Sequence, residues 1–224
     1  MTRLHRTRLL FGDSAIEKLS QSTVMIVGCG AVGSFAIEAL ARTGVGTLIL
    51  VDFDVIEASN INRQLFALES TLGLPKVEVA AMRIRDINPN IKVIPINTFF
   101  NAETTLDFRP DYIIDAIDTV ESKISLYKWA NQNNIPFISS MGAASKTDIG
   151  QIKIAPLSKT SVCPLAARVR RIARAENLPD FPCVFSTQSP APVIGHAKNL
   201  GSIITVTGAF GLMLANWTIG EIIK

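Results

Sequence analysis

The sequence has little of what disulfide-stabilised proteins and thiolate zinc sites require. It contains three cysteines, Cys29, Cys163 and Cys183, and none of them lies in a Cys-x-x-Cys pair. Disulfide frameworks and zinc-thiolate sites both use more cysteines at closer spacing. The cysteine content therefore argues against a small secreted scaffold and fits a reducing compartment, so we expect a cytoplasmic protein.

Charge is also sparse. Charged residues make up 18% of the chain, and the formal net charge is only +3. This balance permits an anionic partner but does not require one. Hydrophobic residues make up 48%, which is typical of a globular protein with a large core. The N-terminus carries a short apolar run followed by an acid, so we expect no secretory signal.

One long stretch, residues 202–219, contains no charged residue and is near the lower length limit for a membrane-spanning helix. Serine, threonine, asparagine and glycine residues lower its apolar character. We therefore expect a helix buried in the protein core, with membrane contact as the alternative.

Short apolar runs alternate with stretches of helical spacing through the first 149 residues. Strands are expected at 24–28, 47–52, 91–96, 112–115 and 137–141, and helices at 31–42, 75–88 and 119–134. Near-continuous apolar strands that alternate with helices are typical of a parallel sheet covered on both faces. The pattern predicts an α/β fold with a Rossmann-like, doubly wound, mostly parallel sheet.

After residue 149 the alternation changes. Strands are expected at 150–155 and 183–187, with a basic helix at 165–174 between them and the uncharged stretch as a closing helix. We interpret this part as a C-terminal extension with extra strands and a basic helix. The whole chain, 1–224, is then a single domain with two halves, 1–149 and 150–224.

Three glycines follow the first predicted strand at the spacing of a nucleotide-binding loop. Gly28 allows the chain to turn, Gly30 allows the backbone to approach a phosphate, and Gly33 allows the next helix to pack on the sheet. The positive N-terminal end of that helix attracts an anion. Asp52 ends the second strand, where a carboxylate can accept both ribose hydroxyls. These features alone leave an NAD-dependent oxidoreductase as an alternative.

A crowded polar segment follows the second strand and departs from the dehydrogenase pattern. It contains Asn60, Asn62, Arg63 and Gln64. An arginine can hold phosphate oxygens bidentately, and asparagine amides can orient them. Lys76 lies in the predicted first turn of a helix, where a cation opposes the helix dipole by about 0.3–1 kcal/mol. This position favours a bound anion beside Lys76; the alternative is a solvated surface lysine.

Two acids, Asp115 and Asp118, lie at the carboxyl end of another buried strand, where open α/β sheets bind ligands. Asp118 could hold a Mg²⁺ ion that bridges phosphates. It could equally cap the next helix, since Glu121 three residues later would complete a capping box. Both roles can coexist.

The second half contains a run of cations with no acid before Glu176. Leu165, Val169 and Ile172 would form an apolar face of the basic helix at helical spacing. The arginines of the run would then point outward and could bind the phosphates of an RNA backbone. A merely solvated basic helix is the alternative. The cations are Lys159, Arg168, Arg170, Arg171 and Arg174.

The motifs GCGAVG, LVDFD, SNINRQ, GLPKVE and DAIDT run in this order across residues 8–141. In order and spacing they resemble the HesA/MoeB/ThiF superfamily of ATP-dependent carboxylate adenylators, which are related to ubiquitin-activating enzymes. The resemblance implies ATP and Mg²⁺ as cofactors and residues 1–149 as the nucleotide-binding half. It implies nucleotide contacts at Gly28, Gly30, Gly33, Asp52, Asp54, Asn60, Asn62, Arg63, Gln64 and Lys76, catalytic roles for Arg63, Lys76 and Asp118, and Mg²⁺ binding at Asp118.

The resemblance also implies a homodimer. Arg8, in TRLLFG, matches an arginine that dimers of the superfamily insert into the neighbouring subunit's pocket, which would make Arg8 catalytic. Taken by itself, Arg8 could be an ordinary surface charge.

The later segments SSMGAASKTDIGQIKIAPLSKT, CPLAARVRR and PCVFSTQSP are similar to the superfamily branch of tRNA threonylcarbamoyladenosine dehydratases. This similarity implies that residues 150–224 face the substrate and that the partner is a tRNA carrying threonylcarbamoyladenosine, whose threonyl carboxylate is adenylated and then cyclised. Alternatives are an adenylyltransferase acting on a ubiquitin-like sulfur carrier, which the missing Cys-x-x-Cys pairs disfavour, and an inactive scaffold. Cys183 could be a buried packing residue or a non-essential thiol that accepts sulfur from a sulfur-relay partner.

Overall fold

A seven-stranded sheet forms the centre of the computed structural model, which describes residues 2–192 and 200–224. The strands are β1 Thr23–Val27, β2 Thr47–Asp52, β3 Lys92–Asn97, β4 Tyr112–Asp115, β5 Phe137–Ser140, β6 Ile152–Pro156 and β7 Pro182–Ser186. The α-helices are α1 His5–Gln21, α2 Gly33–Thr43, α3 Lys76–Ile87, α4 Val120–Gln132, α5 Pro164–Ala175 and α6 Ile204–Ile223.

The strand order is β3-β2-β1-β4-β5-β7-β6, and every pairing is parallel except that of β6 with β7. The chain moves outward from β1 in one direction to β3 and then returns to place β4 on the other side of β1. In such sheets the point of reversal leaves a crevice at the carboxyl ends of the strands, where ligands bind. The predicted doubly wound, mostly parallel sheet is confirmed, and the two strands of the second half extend it.

Alternate residues of each strand pack on opposite faces of the sheet. In β1, Val24 and Ile26 join a core with α2, α3 and α6, whereas Met25 and Val27 join a second core with α4 and α5. All four are almost fully buried. This double burial explains why the strands appear in the sequence as continuous apolar runs.

The closing helix α6 packs closely on α2. A Cβ placed on Gly211 would lie 2.2 Å from the main-chain oxygen of Val32, and one on Gly208 would lie 3.1 Å from Phe35. By length and composition α6 could cross a membrane, but half of its apolar window is buried inside the protein. This packing supports the prediction of a core helix.

The N-terminal helix α1 is not indicated by the sequence pattern. Its first half carries three consecutive apolar residues rather than a helical spacing, and the backbone breaks at Gly12, which has a φ of 83°. The second half packs on the core through Ala15, Ile16 and Leu19. Tertiary packing rather than local periodicity therefore stabilises this helix.

Candidate nucleotide and phosphate site

The glycine loop lies between the end of β1 and the start of α2, in the crevice of the sheet. Gly28 has a φ of 96°, and a Cβ there would lie 2.6 Å from the main-chain oxygen of Ala116. A Cβ on Gly33 would lie 1.7 Å from the main-chain oxygen of Gly28. Both positions therefore require glycine. The space at Gly30 is open, with Gln64 the nearest group at 3.7 Å, so a phosphate can approach the backbone here.

Asp52 holds the glycine loop in shape. One carboxylate oxygen accepts a hydrogen bond from the main-chain N–H of Cys29 at 2.6 Å, and the other accepts one from the N–H of Asp54 at 2.9 Å. The side chain is buried, and this burial raises the pKa of Asp52 above its ordinary value, against the opposing effect of the hydrogen bonds and of Lys76. Asp52 therefore joins the ends of β1 and β2.

Lys76 is buried at the start of α3, with 6% of its surface exposed. Its ammonium contacts the carboxylate of Asp54 at 2.6 Å, and its main-chain N–H donates to the main-chain oxygen of Asp54 at 3.0 Å. The alternative of a solvated surface lysine is therefore wrong. A cation is held in the first turn of a helix, beside the end of β2, by a carboxylate that is itself 45% exposed.

The polar segment after β2 forms a compact turn. Asn60 is buried and accepts a hydrogen bond from the N–H of Glu57 at 3.2 Å. Arg63 is partly exposed, and its guanidinium donates to the main-chain oxygen of Ser59 at 2.7 Å and to the side-chain oxygen of Asn62 at 2.9 Å. Gln64 is buried and faces Gly30. The turn therefore places the amide of Gln64 next to the open space of the glycine loop.

The two acids after β4 have different environments. Asp115 is fully buried and accepts hydrogen bonds from Lys123 at 2.7 Å, from Ser139 at 2.6 Å and from the N–H of Ile117 at 3.0 Å. Lys123 is buried as well, so the pair is an internal ion pair. Asp115 therefore anchors the turn that leads to Asp118.

Asp118 is exposed at the mouth of the crevice. It does not cap α4, because the residue before the helix is Thr119 and no side chain caps the helix end. The predicted capping box is therefore wrong. Among the described residues, the carboxylate accepts only one long hydrogen bond, from the hydroxyl of Thr119 at 3.4 Å. In the part of the chain that the structure describes, no group of three or more acids, cysteines and histidines could hold a metal ion. Mg²⁺ commonly takes one or two carboxylates together with substrate phosphates and water, which fits a single Asp118.

Arg8 lies at the opposite edge of the sheet. It pairs with Asp13 on α1 and lines a surface cavity with Arg3, Asn88 and Asn90. The two asparagines precede β3, so this cavity lies at the amino ends of the strands, whereas the glycine loop lies at their carboxyl ends. Within one chain, the structure does not bring Arg8 to the other predicted phosphate ligands.

The helical spacing predicts an apolar face of α5 at Leu165, Val169 and Ile172. Val169 is buried, Leu165 and Ile172 are partly buried against the core, and Ala166 and Ala173 complete the buried face. One cation departs from the outward orientation expected of the arginines. Arg170 turns inward and donates to the main-chain oxygen of Thr160 at 2.9 Å and to its hydroxyl. Because these acceptors sit in the turn before α5, Arg170 holds that turn. The exposed cations of the run are Lys159, Arg168, Arg171 and Arg174.

Cys183 lies in the core on β7, with 0% of its surface exposed. Burial raises the pKa of its thiol to about 12, and Asp180 adds to this effect. The thiol is therefore protonated at neutral pH, whereas the nucleophilic form is the thiolate.

The chain matches the model of the ThiF family over residues 4–224. It belongs to the ThiF family. Among its relatives, tRNA threonylcarbamoyladenosine dehydratase of Bacillus subtilis is 48% identical over 189 residues, which cover 83% of this chain and 74% of that protein. The E. coli enzyme of the same name, solved in complex with ATP, has a TM-score of 0.91 and 34% identity, covering 98% of this chain and 93% of that one.

Molybdopterin-synthase adenylyltransferases are matched over a smaller part of the family fold. The protein from Haemophilus influenzae is 38% identical over 140 residues, which cover 62% of this chain and 56% of that protein. The resemblance to the superfamily and to its tRNA-dehydratase branch, stated from the motifs alone, is therefore confirmed.

Proposed function

We propose that this protein is an ATP-dependent tRNA threonylcarbamoyladenosine dehydratase. The main support is that the likeness to proteins of that name covers 83% of the chain in the sequence match and 98% in the structural match. The geometry agrees, because the open backbone at Gly30 and the cations of Arg63 and Lys76 suit a nucleoside triphosphate.

In the first step, an oxygen of the threonyl carboxylate attacks the α-phosphorus of ATP. The new O–P bond forms as the bond to pyrophosphate breaks, which leaves an acyl-adenylate. Two anions must approach each other, so cations placed where charge accumulates lower the barrier. Arg63 and Lys76 supply this charge, and Mg²⁺ held by Asp118 supplies more when bound.

In the second step, the carbamoyl oxygen attacks the activated carbonyl of the same nucleoside. A C–O bond forms, the bond to AMP breaks, and the carbamoyl group loses a proton, so one water is lost overall and the cyclic form remains. Holding two groups of one molecule in contact provides the rate advantage. No protein nucleophile is needed.

Replacing Cys183 with serine is expected to leave cyclisation close to the wild-type rate. The thiol is buried and protonated, with its sulfur 3.4 Å from the main-chain oxygen of Ala155, which a serine hydroxyl can also reach. Single-turnover formation of the cyclic nucleoside, followed by mass spectrometry, measures this. Complete inactivity of a folded variant would show that the thiol has a chemical role.

We also propose that tRNA lies along the exposed cations of α5. Reversing the charge of Arg168 and Arg171 together should weaken tRNA binding. The slope of log K against log salt should fall by about one unit for each phosphate that the protein no longer neutralises. Arg85→Glu with Lys92→Glu makes the same change in net charge on exposed residues elsewhere and is the control. Equally weakened binding in both double variants would mean a general charge effect.

The homodimer belongs to the same proposal. Arg8 cannot serve the site of its own chain, which is consistent with insertion into a partner's pocket. Leu9, Leu10 and Phe11 beside it are 70%, 74% and 40% exposed, and contiguous exposed apolar residues are common at interfaces. Analytical ultracentrifugation should find a dimer that Leu9→Asp with Leu10→Asp disrupts.

We place the protein in the cytoplasm, because its proposed substrates ATP and tRNA are found there. A sulfur-relay partner is an implication of the resemblance alone. All three cysteines are buried, so such a partner would find no surface thiol.

The decisive test is incubation with ATP and tRNA carrying threonylcarbamoyladenosine, with tRNA that lacks the modification as the control. AMP release together with loss of one water from the nucleoside supports the proposal. AMP release only with a small protein that ends in Gly-Gly would support the sulfur-carrier adenylyltransferase instead. Absence of ATP binding in calorimetry would contradict both.

A further inference from the structure

Lys146 is a buried cation that the mechanism above does not use. It lies in the loop after β5, and only 3% of its surface is exposed. Its ammonium donates a hydrogen bond to the main-chain oxygen of Gln188, which follows β7. Because β5 and β7 are parallel, both residues lie at the carboxyl edge of the sheet, as the glycine loop does.

No carboxylate neutralises this ammonium. Among the described residues Lys146 makes no salt bridge, and the segment 193–199 contains no Asp or Glu that could supply one. Burying an ammonium without an opposite charge is costly, and the burial lowers the pKa of Lys146. Lys76 and Lys123 are also buried, but each of them forms a salt bridge with an aspartate.

The loop of Lys146 is joined to the phosphate site through two consecutive residues before α6. The N–H of Ser145 donates to the main-chain oxygen of Gly201 at 2.7 Å. The side-chain amide of Asn62 donates to the main-chain oxygen of Ser202 at 3.2 Å. Asn62 also accepts a hydrogen bond from Arg63, so a chain of hydrogen bonds links the loop that carries Lys146 to the expected phosphate ligand Arg63.

The backbone that presents Lys146 is strained. Ser145 has a φ of 57°, in the left-handed region that residues other than glycine rarely adopt. Its main-chain oxygen accepts a hydrogen bond from the N–H of Ala191 at 2.7 Å, so the conformation is held from both sides. Strain of this kind persists where the surrounding structure maintains it, and it is frequent at ligand sites.

We infer that Lys146 binds the carboxylate of the substrate's threonyl group and presents it to the α-phosphate of ATP. This inference rests on the proposed function. The ammonium exchanges the neutral carbonyl of Gln188 for an anion, which supplies the missing opposite charge. The carboxylate is also the one reacting anion without an assigned cation, because Arg63 and Lys76 serve the phosphates.

Binding of two tRNAs in the absence of ATP tests the inference. They are identical except that one carries threonylcarbamoyladenosine and the other unmodified adenosine. The wild-type protein should prefer the modified tRNA by about ten- to a hundredfold, the range expected for a hydrogen bond to a charged group. Lys146→Met should lose this preference while its affinities for unmodified tRNA and for ATP stay at the wild-type values. Lys153→Met removes an exposed lysine on β6 and is the matched control.

Lys146→Gln keeps a donor for the Gln188 carbonyl without the charge, and it replaces the methionine variant should that one unfold. A variant that folds, binds ATP and still prefers the modified tRNA would overturn the inference while leaving the proposed function intact. A wild-type protein that binds ATP but neither prefers nor cyclises the modified tRNA would contradict the proposed function itself.

Discussion

Replacing Lys76 with methionine is expected to reduce the rate of AMP formation by about 10²–10³-fold, the loss typical of removing one preorganised group that stabilises transition-state charge. The ammonium is buried and fixed by Asp54 at 2.6 Å, so it needs little reorganisation when charge builds on the phosphates. Single-turnover release of AMP with saturating ATP and modified tRNA measures the step directly.

The fold should survive this change. Asp54 is 45% exposed, and water can solvate its carboxylate once the lysine is gone. Thermal unfolding should therefore shift little, and Lys18→Met, at an exposed lysine on α1, gives the baseline for loss of one charge. We expect Arg63→Ala to reduce the rate of AMP formation by a similar factor. Near-wild-type rates in either variant would refute its assigned role.

Replacing Lys123 with methionine should instead act on stability, lowering the free energy of unfolding by about 3–5 kcal/mol. Lys123 and Asp115 have 2% and 0% exposed side chains, so the substitution leaves a buried carboxylate with no opposite charge. Ser139 still donates to Asp115, but one hydroxyl does not replace an ammonium. Urea denaturation at neutral pH gives the free energy.

The matched control is the double variant Lys123→Met with Asp115→Asn. It removes both charges, so it should recover much of the stability that the single change removes. A loss below about 1 kcal/mol in the single variant would mean that the pair is solvated in solution, since exposed pairs contribute that little.

The sheet is largely predictable because its strands are buried on both faces. Their apolar runs mark them without any knowledge of their partners, and β2 and β4 begin and end where the sequence indicates. Pairing is different. The antiparallel direction of β6 depends on β7, which lies beyond α5 in the chain, so local spacing carries no record of it.

The residues of the site also fall into those set by local motifs and those set by the fold. Gly28, Gly33 and Lys76 are defined by turns and helix starts, which short motifs record. The network of Asp115 joins residues eight and 24 positions away, on α4 and β5, and is set by the fold. The signal available in the sequence is that Lys123 lies one helical turn from the apolar residues Val120, Leu126 and Tyr127, on the buried side of α4. Arg170 turns inward because carbonyl oxygens of the preceding turn lie within its reach, which helical spacing alone does not reveal.

The contacts of Asp52 have a consequence for nucleotide capture. Each of its two oxygens accepts one main-chain hydrogen bond and so keeps a lone pair free for a ribose hydroxyl. The carboxylate that would bind the ribose therefore already fixes the glycine loop in the folded protein. ATP should therefore bind a preorganised pocket, with little conformational entropy lost from this loop on binding.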